Sequence, residues 1–296
     1  MSHLSAYALS AVCALATVPM QGVEVQGHRG ARGWYPENTI PAFIAGIKAG
    51  ANLLELDLLV TSDGELVVYH DFFINPNLCA YMDGKAIPRS DLVYELPLSE
   101  IKRIDCGAIK NEKFPQQTLI PGTAIPTLKE LFAAIEECSL PEAKKIRLNL
   151  EIKVDPARPQ LTLNRHDFAI KVVNAVKESG FNERVIYSSF DRDVLADVRH
   201  LNPSAKIAFL LDEETLLEAW NVKPEEWLGF MLTTASALRA DVVSPEHVLL
   251  DKAAVDLLHQ SDFRVVTWTV NEAQDWKSLV EMGVDGIITD YPQQDL

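Results

Sequence analysis

LLELDLLVTSDGELVVYHD, Leu53–Asp71, decides how the rest of the chain is read. Two apolar runs, Leu53–Val60 and Glu65–His70, are separated only by Thr61–Gly64. A parallel crossover needs a dozen residues or more. The two runs therefore form an antiparallel hairpin, or one of them leaves the main sheet. A hairpin centred on Asp63–Gly64 sets Asp57 roughly opposite His70. Within the first run Glu55 and Asp57 lie two apart and share a face of the strand. Two carboxylates buried among Leu53, Leu54, Leu56 and Leu58 are costly unless they are paired or hold a metal.

Outward from this stretch, strand-like runs alternate with helical patterns. The runs are Val23–Gly27, Arg147–Lys153, Arg184–Ser189, Lys206–Leu211, Asp241–Ser244, Arg264–Val270 and Gly286–Thr289. Ile40, Phe43, Ile44 and Ile47 fall at helix spacing and Gly50 stops them. Thr127 and Glu130 form a capping box ahead of Leu128, Leu131, Phe132 and Ile135. Asn271 is placed to cap a helix carrying Trp276, Leu279 and Val280. Repeated strand–helix units imply a parallel sheet. At this length a closed TIM (βα)8 barrel is favoured over a doubly wound sheet, and nine candidate strands compete for eight places. Asp71–Ile125 fits no strand–helix unit. It reads as a small cap inserted after the third strand, within one domain spanning residues 23–296.

The chain has 296 residues and a formal net charge of −15. Such a surface repels phosphate backbones and argues against nucleic acid as a partner. An anionic small-molecule ligand would need a local inversion of the field, which a bound metal ion supplies. Residues 1–22 contain a small-residue apolar run, Leu4–Gly22, that reads as a candidate signal peptide without a basic start. The location expected is periplasmic or secreted, with the cytoplasm as alternative. No other segment suits a membrane span. Cys79 and Cys106 flank one loop-rich stretch and pair if the protein is exported; in the cytosol they stay free thiols.

The residues suited to chemistry sit at strand ends. LNLEIK places Glu151 and Lys153 on one strand face, so Glu55, Asp57 and Glu151 offer three carboxylates to a hard cation, Ca²⁺ or Mg²⁺. The competing reading is a buried ion-pair network, with Lys153 against Glu55. His28 and His70 each end a strand and suit proton transfer near neutral pH. Arg29 offers a guanidinium fork to phosphate, Lys153 a point charge, and Gly30 room for a ligand to approach. Phe190 and Trp268 end later strands and can wall a pocket. Asn271 bonds a ligand or caps its helix. An amidohydrolase barrel would want His-x-His on the first strand, but Gly30 stands two after His28.

Taken together, GHRGARGWYPENTIPAF, GANLLELDLLVTSDGELVVYHD, IPTLKELF, LNLEIK, YSSF, WTVN and GVDGIITDYP resemble the glycerophosphodiester phosphodiesterase family. That family belongs among the phosphatidylinositol phospholipase C-like barrel phosphodiesterases. The resemblance runs in order from Gly27 to Pro292. It implies a (βα)8 barrel and hydrolysis of small glycerophosphodiesters to sn-glycerol 3-phosphate and an alcohol. It implies one divalent cation on Glu55, Asp57 and Glu151, with His28 and His70 as acid–base pair. Arg29 and Lys153 would bind phosphate, Phe190 and Trp268 would line the alcohol side, and Glu37 and Asn38 would support the first loop. Lysophospholipase D or sphingomyelinase D activity on lipids is the alternative, since Phe72, Phe73, Tyr81 and Tyr94 give the cap apolar surface.

Overall fold

A computed structural model describes residues 22–293. Residues 1–21, which hold His3, Cys13 and all of the leader run but Gly22, lie outside the described residues. The strands are β1 Glu24–Gly27, β2 Leu53–Val60, β3 Leu66–Val68, β4 Ala80–Tyr81, β5 Ile104–Asp105, β6 Arg147–Ile152, β7 Val185–Ser189, β8 Lys206–Leu211, β9 Val242–Pro245, β10 Arg264–Thr267 and β11 Gly286–Thr289. The α-helices are α1 Ile40–Lys48, α2 Leu98–Ile101, α3 Leu128–Glu137, α4 Arg165–Ser179, α5 Arg192–Leu201, α6 Trp227–Leu238, α7 Lys252–Gln260 and α8 Ala273–Met282.

Eight strands close a parallel barrel in the order β1, β2, β6, β7, β8, β9, β10, β11 and back to β1. Its interior is layered, as the period of two along each strand requires. At the strand starts Glu24 pairs with Arg147 at 2.6 Å and Arg264 at 3.4 Å, closing that end with charge. Above them Leu53, Ile186, Ala208, Val242, Val266 and Ile288 form a buried apolar ring. Polar side chains collect at the carboxyl ends of the strands. The larger core lies between the barrel and its helices, and includes Phe43, Leu131, Phe168 and Val198. Thr39 caps α1, and Thr127 with Glu130 forms the capping box of α3.

The ninth candidate strand is β3. It pairs antiparallel with β2, outside the closed ring, in the register Leu58↔Val68, Leu59↔Val67, Val60↔Leu66. That register corrects the expected one by a residue. Thr61 accepts the Glu65 amide and holds Asp63, so the turn centres on Asp63, and Tyr69, not His70, donates its amide to the Asp57 carbonyl at 3.0 Å. His70 is thereby carried one step further, to the root of the cap. Residues 71–125 contain the short β4–β5 ribbon and α2 around a separate core of Tyr69, Ile74, Ile101, Ile104 and Ile125. Cys79 and Cys106 are disulfide-bonded within it. The insertion also packs on the loop after β1, where the Thr118 amide donates to the Trp34 carbonyl at 2.7 Å.

Candidate active site

The ends of β1, β2 and β6 bring together what the sequence disperses. Glu55 and Asp57 on β2 and Glu151 on β6 are all buried, and their oxygens lie within 4.8 Å of one another. Asp57 and Glu151 are register partners on adjacent strands, which explains the convergence. Burial first, then Asp57 and Glu151, push the Glu55 carboxyl well above its ordinary range. Burial likewise raises Glu151, with Asp57 adding to it and Lys153 pulling against it. For Asp57 burial acts upward, but His70, Arg29 and Lys153 outweigh it and hold the carboxyl well below the usual range. Two of three carboxylates are thus short of compensating charge. A compact set of hard oxygen donors in that state fits a divalent cation. The ion-pair reading holds in part: Lys153 lies 2.7 Å from Glu151 and 3.6 Å from Asp57, rather than on Glu55.

His28 follows β1. Its Nδ1 lies 2.7 Å from Asp290 Oδ1, so it donates there, and Nε2 faces Glu55 at 3.9 Å. Burial first, then the Arg32 charge, lower the imidazole to about 4 against the pull of Asp290. The ring is neutral at neutral pH with a free lone pair on Nε2. His70 is held differently: its Nδ1 lies 2.6 Å from Asp71, which Asn75 steadies at 3.0 Å.

Arg29 takes a left-handed backbone, φ 50°, which aims its amide at Glu55 at 2.8 Å. Its guanidinium meets Glu37 at 2.6 Å and approaches Asp57 at 3.3 Å. Burial opposes the Arg29 charge, and Glu37, Asp57 and Glu55 more than restore it. Asn38, also left-handed at φ 56°, donates to Asp57 at 2.8 Å. Glu37 and Asn38 therefore orient Arg29 and Asp57 from behind. Gly30 serves packing, not ligand access: a Cβ there would meet the Ala42 backbone at 2.6 Å.

Asn271 neither caps α8, whose N-cap is Glu272, nor lines the cavity. Its amide donates to Asp290 at 2.7 Å and its oxygen accepts the Asp290 amide at 3.0 Å. Arg32 grips the same carboxylate with two nitrogens, at 2.8 and 3.1 Å. Arg32 lines the cavity and Asp290 holds His28, a pairing invisible in the sequence because GHRGARG and GIITDYP lie at opposite ends of the chain and nothing local joins them. Phe190 and Trp268 meet edge to face at 5.5 Å. One cavity of about 750 Å³ is lined by His28, Arg29, Glu55, His70, Glu151 and Lys153 together with this aromatic pair.

The model of the Glycerophosphoryl diester phosphodiesterase family matches residues 28–294. The glycerophosphodiester phosphodiesterase of Caldanaerobacter subterraneus subsp. tengcongensis is 33 % identical over 269 residues, covering 91 % of this chain and 94 % of that protein. A human lysophospholipase D is 26 % identical over 287 residues, covering 90 % and 82 %. The solved structure of a Silicibacter pomeroyi protein superposes with a TM-score of 0.82 at 28 % identity, covering 92 % of this chain and 91 % of that one.

Proposed function

The chain belongs to the glycerophosphoryl diester phosphodiesterase family and is an enzyme of that class, and from that premise we propose a division of labour among its residues. His28 and His70 are the acid–base pair, Glu55, Asp57 and Glu151 hold one divalent cation, Ca²⁺ or Mg²⁺, and the substrate is a small glycerophosphodiester. The observation that carries this reading is the single cavity lined by both imidazoles and by Glu55 and Glu151.

A bound divalent cation supplies charge neutralisation and lowers the pKa of a coordinated hydroxyl. The chain's own groups do the rest. Arg29 and Lys153 bind the phosphate oxygens from the β1 and β6 sides. His28 is the base, because its Nε2 is unprotonated at neutral pH and faces the carboxylate cluster. It takes the proton of the attacking glycerol hydroxyl. His70, with Nδ1 committed to Asp71, gives a proton from Nε2 to the departing alcohol. Phe190 and Trp268 exclude water on the alcohol side. The disulfide in the cap supports an oxidising compartment, in keeping with export. Lipid-tailed substrates are the second reading, favoured by the exposed Phe73 beside the cavity.

The test is release of glycerol 3-phosphate from glycerophosphocholine by chelator-stripped protein, followed through a coupled dehydrogenase. Release that returns with Ca²⁺ or Mg²⁺ supports the proposal. Undiminished release in chelator removes the cation from it. Silence with both metals, with turnover of lysophosphatidylcholine, shifts the substrate to lipids.

A further inference from the structure

The cavity has two unlike walls. Beside β1, β2 and β6 cations stand among the carboxylates, with Arg29 on Glu37 and Lys153 on Glu151. The opposing wall comes from the ends of β7, β8 and β10 and starts with Phe190 and Trp268. The Lys153 ammonium lies 5.9 Å from the Phe190 ring, so the aromatic pair begins where the phosphate-binding end stops. Beyond it the wall is acidic: Asp212, Glu214 and Glu218 line the same cavity. None of these three makes an ion pair among the described residues. Arg158, a cation of the loop after β6 that also lines the cavity, is tied to Asp155 at 2.7 Å. Glu246, next to this group, has its carboxyl raised by burial first and then by Asp212.

A second observation points to a ligand here. Ser188 is completely buried, its hydroxyl has no hydrogen-bond partner among the described residues, and it lines the cavity. It precedes Phe190 by two residues and pairs in register with Glu151, so it sits between the carboxylate cluster and the aromatic pair. A buried hydroxyl left unpaired is an open position for a polar ligand atom. Aromatic faces followed by uncompensated carboxylates suit a positive charge a short spacer further on.

We infer that this wall selects the leaving alcohol: Phe190, Trp268 and the carboxylates of Asp212, Glu214 and Glu218 take a cationic amino alcohol in preference to a neutral polyol. The inference rests on the phosphodiesterase reading above and sharpens its substrate class. It also answers a problem set by the net charge of −15. A diester with a cationic head group carries no net charge and is not repelled, whereas a neutral polyol leaves the phosphate charge uncancelled.

The test compares kcat/KM for glycerophosphocholine, glycerophosphoethanolamine and glycerophosphoglycerol with the metal-loaded full chain, using their common product. Both cationic diesters are expected to exceed the neutral one by about tenfold. Glu214→Gln with Glu218→Gln, both exposed, lowers that ratio about fivefold. Asp212→Asn lowers it too, while keeping an oxygen for the Thr215 amide that Asp212 accepts at 2.7 Å. Glu137→Gln, an exposed change outside the cavity, leaves the ratio where it was. Equal turnover, a preference for the neutral diester, or a ratio unmoved by the wall variants overturns the inference while the phosphodiesterase reading stands. Silence toward all three diesters overturns that reading, and the inference with it.

Discussion

His28 and His70 line one cavity but are held by different parts of the molecule. His28 follows β1 and is fixed by the closing seam of the barrel: its Nδ1–H donates to Asp290, and Arg32 and Asn271 hold Asp290. The Asp290 side chain is 1 % exposed. His70 stands at the root of the cap, and its partner Asp71 is 39 % exposed and steadied by Asn75. A buried network with three partners fixes one tautomer and one ring orientation. A half-buried pair at the root of an inserted loop permits adjustment. The difference fits a base that must be neutral and aimed before substrate arrives, and an acid that closes on the leaving group.

The strongest way to break this comparison is to remove each supporting carboxylate. Asp290→Asn should lower kcat on the order of 10²-fold, because the imidazole loses its orientation. Asp71→Asn should cost about tenfold. Steady-state kinetics on variants of verified fold decide it, and equal losses would erase the distinction. The cap offers a second lever. Replacing Cys79 and Cys106 with serine opens a loop closed across a separation of 27 residues. Stability should fall by about 2–4 kcal/mol. The loss of activity should resemble that of Asp71→Asn, since His28 is held by the barrel. Denaturant unfolding and kinetics with and without reductant measure both parts.

The smallest effect is on pH dependence. His28 is held at about 4 against an ordinary 6.5, by burial first and then Arg32. Between those values the unfolded chain takes up a proton that the folded chain refuses, so stability falls as pH drops from 6.5 to about 4. Asp290 acts below that. Burial opposes its charge, but His28 and Arg32 hold it well under the usual carboxylate range. Its contribution is complete above the ordinary carboxylate pKa and is lost as pH falls further. Denaturation midpoints of metal-stripped His28→Gln should be flatter than wild type through the upper window.

Much of this architecture was legible in the sequence because its causes are local. The spacing of Glu55 and Asp57, the capping box at Thr127 and Glu130, and the short Thr61–Gly64 link each state their geometry within a few residues. The hairpin register was missed by one because a side chain, Thr61, sets the turn. The His28 support was not legible for a different reason. His28 and Asp290 are 262 positions apart and meet only when β11 closes on β1. Asn271 could be read as a helix cap because Asn is suited to that task, and only the closed barrel shows that it serves Asp290.

The most direct test of the division between the two histidines uses a glycerophosphodiester whose leaving group is p-nitrophenol, which departs without a proton. On glycerophosphocholine, His28→Ala and His70→Ala should each lower kcat by roughly 10²–10⁴-fold. On the nitrophenyl ester His70→Ala should recover most of that loss and His28→Ala should not. Recovery by His28→Ala instead would reverse the roles. Equal loss by both variants on both substrates, or near-normal turnover by either folded variant on glycerophosphocholine, would contradict the account.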